Sequence, residues 1–353
     1  MKKELYREDM ELIAGLPLPW ERLEGAGILL TGATGMIGSF LTEALLFKNS
    51  RDHLCCSVYA AGRSMEKLKA RFSDYLERGD LHLVEIDVNA GAFPELSGID
   101  YCIHLASNTH PVAYATDPIG TITTNVIGTY HLLEFAWSHH CRRFAFVSSN
   151  EIYGENRGDE EFFREDYCGY IDCNTMRAGY PESKRCGEAL CQAYIRQKQM
   201  DIVIPRLTRS YGPTLLPSDT KALSQFLRKG LAGEDIVLKS EGTQFYSYTY
   251  VADAVSGLLT VLLKGECGEA YNVADIRSDI RLRDLAELIA RKAGTRVIFD
   301  LPDEVEQAGF SKATKARLDS AKLRALGWEA RYDIREGISR TMDMMETANK
   351  DSR

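Results

Sequence analysis

The 353-residue chain contains no apolar run long enough to cross a bilayer, and its first residues carry no signal-like apolar segment. The expectation is a cytoplasmic protein without membrane partners. It has no Cys-x-x-Cys. Of nine cysteines, Cys55 and Cys56 are adjacent, while the pairs Cys168/Cys173 and Cys186/Cys191 are each five apart. That spacing fits neither a metal site nor a disulfide framework, and buried or half-buried free thiols are expected. It also lacks a basic excess. With 43 Lys and Arg against 51 Asp and Glu, the net charge of −8 argues against a general nucleic-acid binder. No internal repeat or low-complexity segment is visible. What remains is an ordinary folded composition, 44% hydrophobic and 27% charged, long enough for one elaborated α/β domain or two lobes.

The most informative stretch runs from Gly27 to Gly38, GILLTGATGMIG. Its apolar start reads as a buried strand, and a helix with apolar periodicity follows over Ser39–Phe47. Between them Gly32 permits a tight turn, Gly35 lets backbone approach a pyrophosphate, and Gly38 lets helix and strand pack closely. A helix start with open N–H groups favours an anion. A dinucleotide site is the expectation.

Before this strand, Leu5, Leu12, Ile13 and Leu16 fall near helical spacing until Pro17 and Pro19 end the pattern. After it, strands and helices alternate. Strands are expected at Val58–Ala61, Leu81–Ile86, Tyr101–Leu105, Arg143–Ser148 and Ile202–Leu207. Helices are expected at Met65–Glu77, Ile119–Ser138 and Ala178–Gln197. This alternation implies a parallel sheet with right-handed crossovers. Beyond Arg206 the pattern loosens around Pro213 and Pro217. Helices are expected at Ala222–Leu231 and Leu282–Lys292, a strand at Arg296–Phe299, and a pairing of Ile236–Lys239 with Tyr271–Val273 in a small lobe. The expected division is a helical extension over 1–25, a cofactor-binding domain over 26–205 with about 245–265 added, and a substrate lobe over 206–244 and 266–345.

Two stretches carry acid–base chemistry. Tyr180-Pro181-Glu182-Ser183-Lys184 opens a helix, where positions i and i+4 share a face. An ammonium beside a phenol lowers the phenol pKa and suits it to act as a base. Upstream, the strand ending Val147-Ser148-Ser149-Asn150-Glu151 opens at the same sheet edge. There Ser149 can bind a substrate oxygen and Glu151 offers a carboxylate for proton transfer. The bland readings are a surface helix for the first and a turn residue paired with a cation for Glu151.

Together the blocks TGATGMIG, HLAS (His104–Ser107), NVIGT (Asn125–Thr129), SSNEIYG, YPESK, RLTRSYGP (Arg206–Pro213), YTYVADAV (Tyr248–Val255) and LDSAKLRALGW (Leu318–Trp328) resemble the extended short-chain dehydrogenase/reductase superfamily of nucleotide-sugar epimerases, dehydratases and decarboxylases. Within it, the segments at Asp117-Pro118-Ile119, Asp166–Tyr170 and Arg177–Arg185 look like the UDP-glucuronate decarboxylase group. The resemblance implies a Rossmann-type doubly wound parallel α/β sheet with a smaller α/β substrate-binding lobe, and NAD held by Gly32, Thr34, Gly35, Met36, Ile37, Gly38, Arg63, Asp87, Val88, Leu105, Ala106, Ser107, Asn125, Tyr180 and Lys184. It further implies that Tyr180 takes the O4 proton of a nucleotide sugar. Lys184 would hold the ribose, Ser149 would bind O4, and Ser107, Asn150, Arg209, Lys221 and Tyr246 would meet the substrate. It also implies a homodimer paired through the Ile119–Ser138 and Ala178–Gln197 helices.

Some residues depart from the resemblance. Dehydratases of this kind carry an Asp-Glu pair where this chain has Asn150-Glu151, and an amide cannot donate a proton as a general acid. Tyr246 stands where an arginine usually grips the substrate diphosphate, and Arg209 replaces an asparagine. The second strand ends in Ala61-Gly62-Arg63 rather than an acidic residue, so NADP is the alternative to NAD. The expected reactions, in order, are decarboxylation, C4 or C5 epimerisation and dehydration. A non-catalytic dinucleotide-binding regulator is the alternative outside enzymology. His104 reads as a satisfied core histidine, His139 and His140 as solvated helix-end residues, Asp253 as support for its own helix start, and Trp137, Met342, Met344 and Met345 as packing surface.

Overall fold

The computed structural model describes residues 2–109, 114, 116–300 and 315–351. The first half builds Lys2–Ala14 (α1), Gly27–Thr31 (β1), Met36–Asp52 (α2), Ser57–Gly62 (β2), Met65–Arg71 (α3), Leu81–Glu85 (β3), Ile99–His104 (β4), Pro118–Thr123 (α4), Thr129–Ser138 (α5), Arg143–Phe146 (β5), Ser148–Ser149 (β6), Gly179–Lys198 (α6) and Ile202–Leu207 (β7). The second half adds Arg209–Tyr211 (β8), Ala222–Leu231 (α7), Ile236–Leu238 (β9), Phe245–Tyr250 (β10), Val251–Lys264 (α8), Ala270–Val273 (β11), Asp279–Arg281 (β12), Leu282–Ala293 (α9), Val297–Phe299 (β13), Lys315–Ala316 (β14), Ala321–Ala325 (α10) and Ile334–Asp351 (α11).

The main sheet is parallel, in the order β11-β7-β5-β4-β1-β2-β3 with β6 also on β7. The order reverses direction between β1 and β4, which is where a doubly wound sheet opens its ligand crevice. All five residues of β1 and all six of β7 are buried, as strands covered on both faces require. Ile28 and Leu30 face one apolar core, and Leu29 faces the other. Pro205 sits inside β7 without breaking it. Ile202 and Val203 pair with β5, Arg206 and Leu207 pair with β6, and Pro205 falls in the gap between the two ladders, where no N–H is needed on that side.

Helix α8 is buried from Val251 to Leu263, as a helix with apolar residues on every face must be. Helix α1 helps to cover it. Met10, Ile13, Trp20 and Leu23 join the same core, and Asp9, fully buried, accepts from Tyr250 Oη (2.5 Å) and Arg340 Nη2 (2.7 Å). The N-terminal helix therefore ties β10 to α11.

Several expectations are corrected. Ile236–Leu238 pairs with Val297–Phe299, whereas Ala270–Val273 extends the main sheet beside β7. The third helix ends at Arg71, where Phe72 leaves helical geometry and a 3-10 turn follows over Ser73–Tyr75. The helix expected over Ile119–Ser138 is interrupted by a π-helical turn at Thr124–Gly128. Trp137 is exposed, with Lys198 Nζ 3.7 Å from its ring centroid, whereas Met342 and Met344 are buried. All nine cysteines are free as expected, but Cys55, Cys168, Cys173, Cys186 and Cys267 are exposed.

Asp253 does more than support its own helix start. Its carboxylate accepts the N–H groups of Arg331 (2.6 Å) and Tyr332 (3.0 Å), anchoring the approach to α11. Burial pushes its pKa up to about 7, against the pull of those two N–H groups. Its folded pKa lies above the unfolded carboxylate value of about 3.9, so the folded state binds the proton more tightly. Its contribution to stability is therefore full below about pH 4 and declines as pH rises through 7. The stability of the wild type minus that of Asp253→Asn is expected to fall between pH 4 and 7 in urea denaturation at stepped pH.

Candidate active site

The glycine turn is set by sterics. Gly32 has φ +72°, and a Cβ there would lie 2.8 Å from the backbone of Leu105 and Ala106 at the end of β4. A Cβ on Gly38 would lie 2.4 Å from Gly32 O, so the first turn of α2 can close on β1 only without a side chain. The N–H groups of the first turn of α2, the positive end of its dipole, open into a cleft of about 420 Å³. Thr34, Gly35, Met36 and Ile37 form this end, with Arg63 at the tip of β2 beside them. The hydroxyl of Ser148, farther along, is buried without a hydrogen-bond partner. An anion-bearing dinucleotide fits these features: a cradle free of side chains, open N–H groups and an unsatisfied hydroxyl.

From there the cleft passes Val88 and Leu105–Ser107 to Ser149, Asn150, Glu151, Tyr180 and Lys184, and then to Arg209 and Lys221. Three residues expected at the site do not line the cleft. Asp87 is exposed and accepts the Asn89 N–H. Tyr246 lies under Arg209, whose guanidinium is 3.7 Å from its ring centroid. Asn125 is buried in the π-helical turn, where its carbonyl oxygen accepts from Ser107 Oγ (2.7 Å) and its amide donates to Ser183 Oγ (2.9 Å). Ser183 in turn donates to Tyr180 O (2.8 Å). The interrupted helix thus ties the loop after β4 to the turn carrying Tyr180.

Electrostatics here differ from the expectation. The Lys184 ammonium donates to Val147 O (2.9 Å) and lies over the Phe146 ring, and its burial lowers its pKa to about 8. Burial raises the Tyr180 pKa, the neighbouring Glu151 carboxylate raises it further, and the Ser149 hydroxyl opposes both. The hydrogen bond that the Lys184 ammonium makes here goes to the Val147 carbonyl. His104 is a satisfied core residue, bridging Thr31 Oγ1 (2.9 Å) and Thr129 Oγ1 (3.1 Å), and burial depresses its pKa to about 3.

Tyr114 escaped the sequence reading. It lines the cleft and stacks on Tyr180 at 5.0 Å between centroids, with 25° between the planes. It belongs to no periodic pattern. The available signal was an aromatic residue soon after β4, whose carboxyl end opens at the ligand edge of the sheet. The long loop before Tyr180 is pinned by Arg206, which pairs with Glu188 and donates to Tyr153 Oη and Glu165 O, and by Arg185, which donates to Ile152 O and Gly169 O. Among the described residues no cluster of His, Cys, Asp or Glu could hold a metal, and no helix is long and apolar enough to cross a membrane.

The profile of the NAD dependent epimerase/dehydratase family matches residues 28–274. UDP-glucuronic acid decarboxylase 6 of Arabidopsis thaliana is 31% identical over 315 residues, covering 88% of this chain and 86% of that protein. UDP-glucuronic acid decarboxylase 1 of Danio rerio is 28% identical, covering 89% and 71%. Among solved structures, a dTDP-glucose 4,6-dehydratase of Streptomyces venezuelae superposes with a TM-score of 0.76 at 25% identity, covering 90% of this chain and 96% of that one. A UDP-glucuronic acid 4-epimerase of Bacillus cereus shares the fold with a TM-score of 0.76 at 23% identity, covering 91% and 99%.

Asn125→Ala leaves the Ser107 and Ser183 hydroxyls without their shared partner. It is expected to cost about 1–3 kcal/mol of stability by urea denaturation.

Proposed function

This chain belongs to the NAD dependent epimerase/dehydratase family, and we propose that it is an NAD-dependent enzyme that converts a nucleotide sugar through a transient 4-ketone, acting as a UDP-glucuronate decarboxylase. The observation that carries this reading is the convergence of Ser149, Glu151, Tyr180 and Lys184 on one cleft that begins at the glycine turn. The 31% identity to a UDP-glucuronic acid decarboxylase over most of both chains supports the substrate. Thr34 to Gly38, Arg63, Val88, and Leu105 to Ser107 would hold the cofactor, with Asn125 fixing the Ser107 loop from behind. When bound, NAD would take up a hydride from C4 of the sugar and later give it back.

The chain's own residues then have separable tasks. Tyr180 removes the O4 proton, and Ser149 donates a hydrogen bond to the same oxygen. Because burial and Glu151 hold the phenol pKa up, its ionisation needs positive charge brought against it. Lys184, one helical turn on, supplies that charge when its ammonium leaves the Val147 carbonyl. A ketone at C4 makes a C6 carboxylate the acid of a β-keto acid. The C5–C6 bond breaks, carbon dioxide departs, and the electron pair becomes an enolate at C4–C5. Glu151 and Tyr180 line the space where C5 regains a proton. Asn150 lacks the proton a dehydratase would donate to a departing C6 hydroxyl.

Arg63 at the tip of β2 favours a second cofactor reading, NADP. Nine free thiols fit a reducing, cytoplasmic setting. We also infer a homodimer. Ile119, Ile122, Ile127, Tyr130 and Trp137 recur along α4, the π-helical turn and α5 as exposed large side chains, an apolar stripe beside α6 that a second copy would cover.

Three outcomes are expected. With NAD and UDP-glucuronate, NMR of products should show UDP-xylose and carbon dioxide without net reduction of NAD. Tyr180→Phe should lower kcat at least about 1,000-fold while NAD still binds. Persistence of turnover in that variant sinks the mechanism. Light scattering at micromolar concentration should give twice the chain mass, and Ile122→Arg should return it to one.

A further inference from the structure

Arg209 and Glu151, two of the charged groups facing the substrate end of the cleft, do not pair with each other. Among the described residues the Arg209 guanidinium makes no hydrogen bond or ion pair, and its Nη1 is buried without a partner. A guanidinium nitrogen shut away from water and left unsatisfied is costly, and it is a position prepared for an oxyanion. The Glu151 carboxylate is likewise unpaired, and both groups act electrostatically on the phenols of Tyr114 and Tyr246. Tyr114 stacks on Tyr180, so Arg209 serves the reacting end of the cleft and not its glycine-turn end. The other cation of this wall, Lys221, already lies 3.5 Å from Asp219.

Resting on the reading of the site as one for UDP-glucuronate, we propose that Arg209, held over the Tyr246 ring, receives the C6 carboxylate and sets the preference for a uronic acid over a neutral sugar. A second negative charge beside Glu151 would be repelled without a facing cation, whereas a neutral C6 hydroxymethyl group would leave Arg209 unsatisfied. Parallel pairing of β8 with β10 (Arg209↔Tyr248) carries the arginine past Tyr246, two residues earlier on β10, and the stack removes rotamer freedom that binding would otherwise have to freeze. A guanidinium in this place is therefore oriented before the substrate arrives.

The test is calorimetric titration of the NAD-loaded protein with UDP-glucuronate, UDP-glucose and UDP. Arg209→Gln is expected to weaken UDP-glucuronate binding about 10- to 100-fold and to change UDP-glucose and UDP by less than about threefold. Tyr246→Phe should retain the preference, and Tyr246→Leu should lose part of it, for UDP-glucuronate alone. Unchanged NAD affinity and thermal midpoint establish that each variant is folded, and the Tyr246 pair decides the matter if Arg209→Gln does not fold. Equal weakening of all three ligands would assign Arg209 to the diphosphate and overturn the proposal, as would no weakening at all. If the wild type binds UDP and UDP-glucose but not UDP-glucuronate, the substrate reading itself fails, an outcome separate from either.

Discussion

The imidazole of His104 holds the site together from beneath. It joins the ends of β1 and β4 to the start of α5 through two threonine hydroxyls, entirely out of water. Because burial keeps it neutral at any ordinary pH, the bridge does not titrate. On one side of it the glycine turn is pressed against Leu105 and Ala106. On the other, Thr129 Oγ1 also donates to Asn125 O, securing the π-helical turn from which Asn125 reaches Ser107 and Ser183. The cofactor end and the tyrosine end of the cleft are thus spaced by one non-ionising contact. That is a reasonable design for chemistry in which a hydride and a proton leave the same carbon–oxygen unit.

The groups expected to move protons are buried and electrostatically opposed. Tyr180 is held protonated by burial and by Glu151, and Lys184 is weakened as an acid-stable cation and occupied by the Val147 carbonyl. In this arrangement the phenol is a poor base. Activation then depends on what enters the cleft, which limits idle proton transfer before the ligands are in place.

The strand–helix alternation of the first half was legible because each buried strand is a short apolar run bounded by polar turns. Ile202–Leu207 and Ala222–Leu231 were placed to the residue. The lobe was harder. Ile236–Leu238 and Ala270–Val273 look alike as short strands, and nothing local says that the second returns to the main sheet. The glycine turn and the Tyr180–Lys184 pair carry their spacing in the sequence, so they were found. What Lys184 touches was not, because a carbonyl partner comes from another strand and leaves no mark on the residue string. Tyr114 and the orphaned nitrogen of Arg209 were hidden for the same reason, since a stack and an absence of partners exist only in three dimensions.

The clasp of α1 has a consequence for biosynthesis. Its closing contacts, Asp9 to Tyr250 and Asp9 to Arg340, join residues 241 and 331 positions apart. Contacts of such sequence separation form late, because the loop they close is long. Helix α1 emerges from the ribosome just ahead of α2, on which it packs through Tyr6 against Phe40 and through Lys48 Nζ donating to Ala14 O, but hundreds of residues before α8 and α11, its other partners. Until then only the face of α1 turned toward α8 and α11 stays uncovered. Closure of that face therefore waits on the synthesis of α11, the last of its partners to be made.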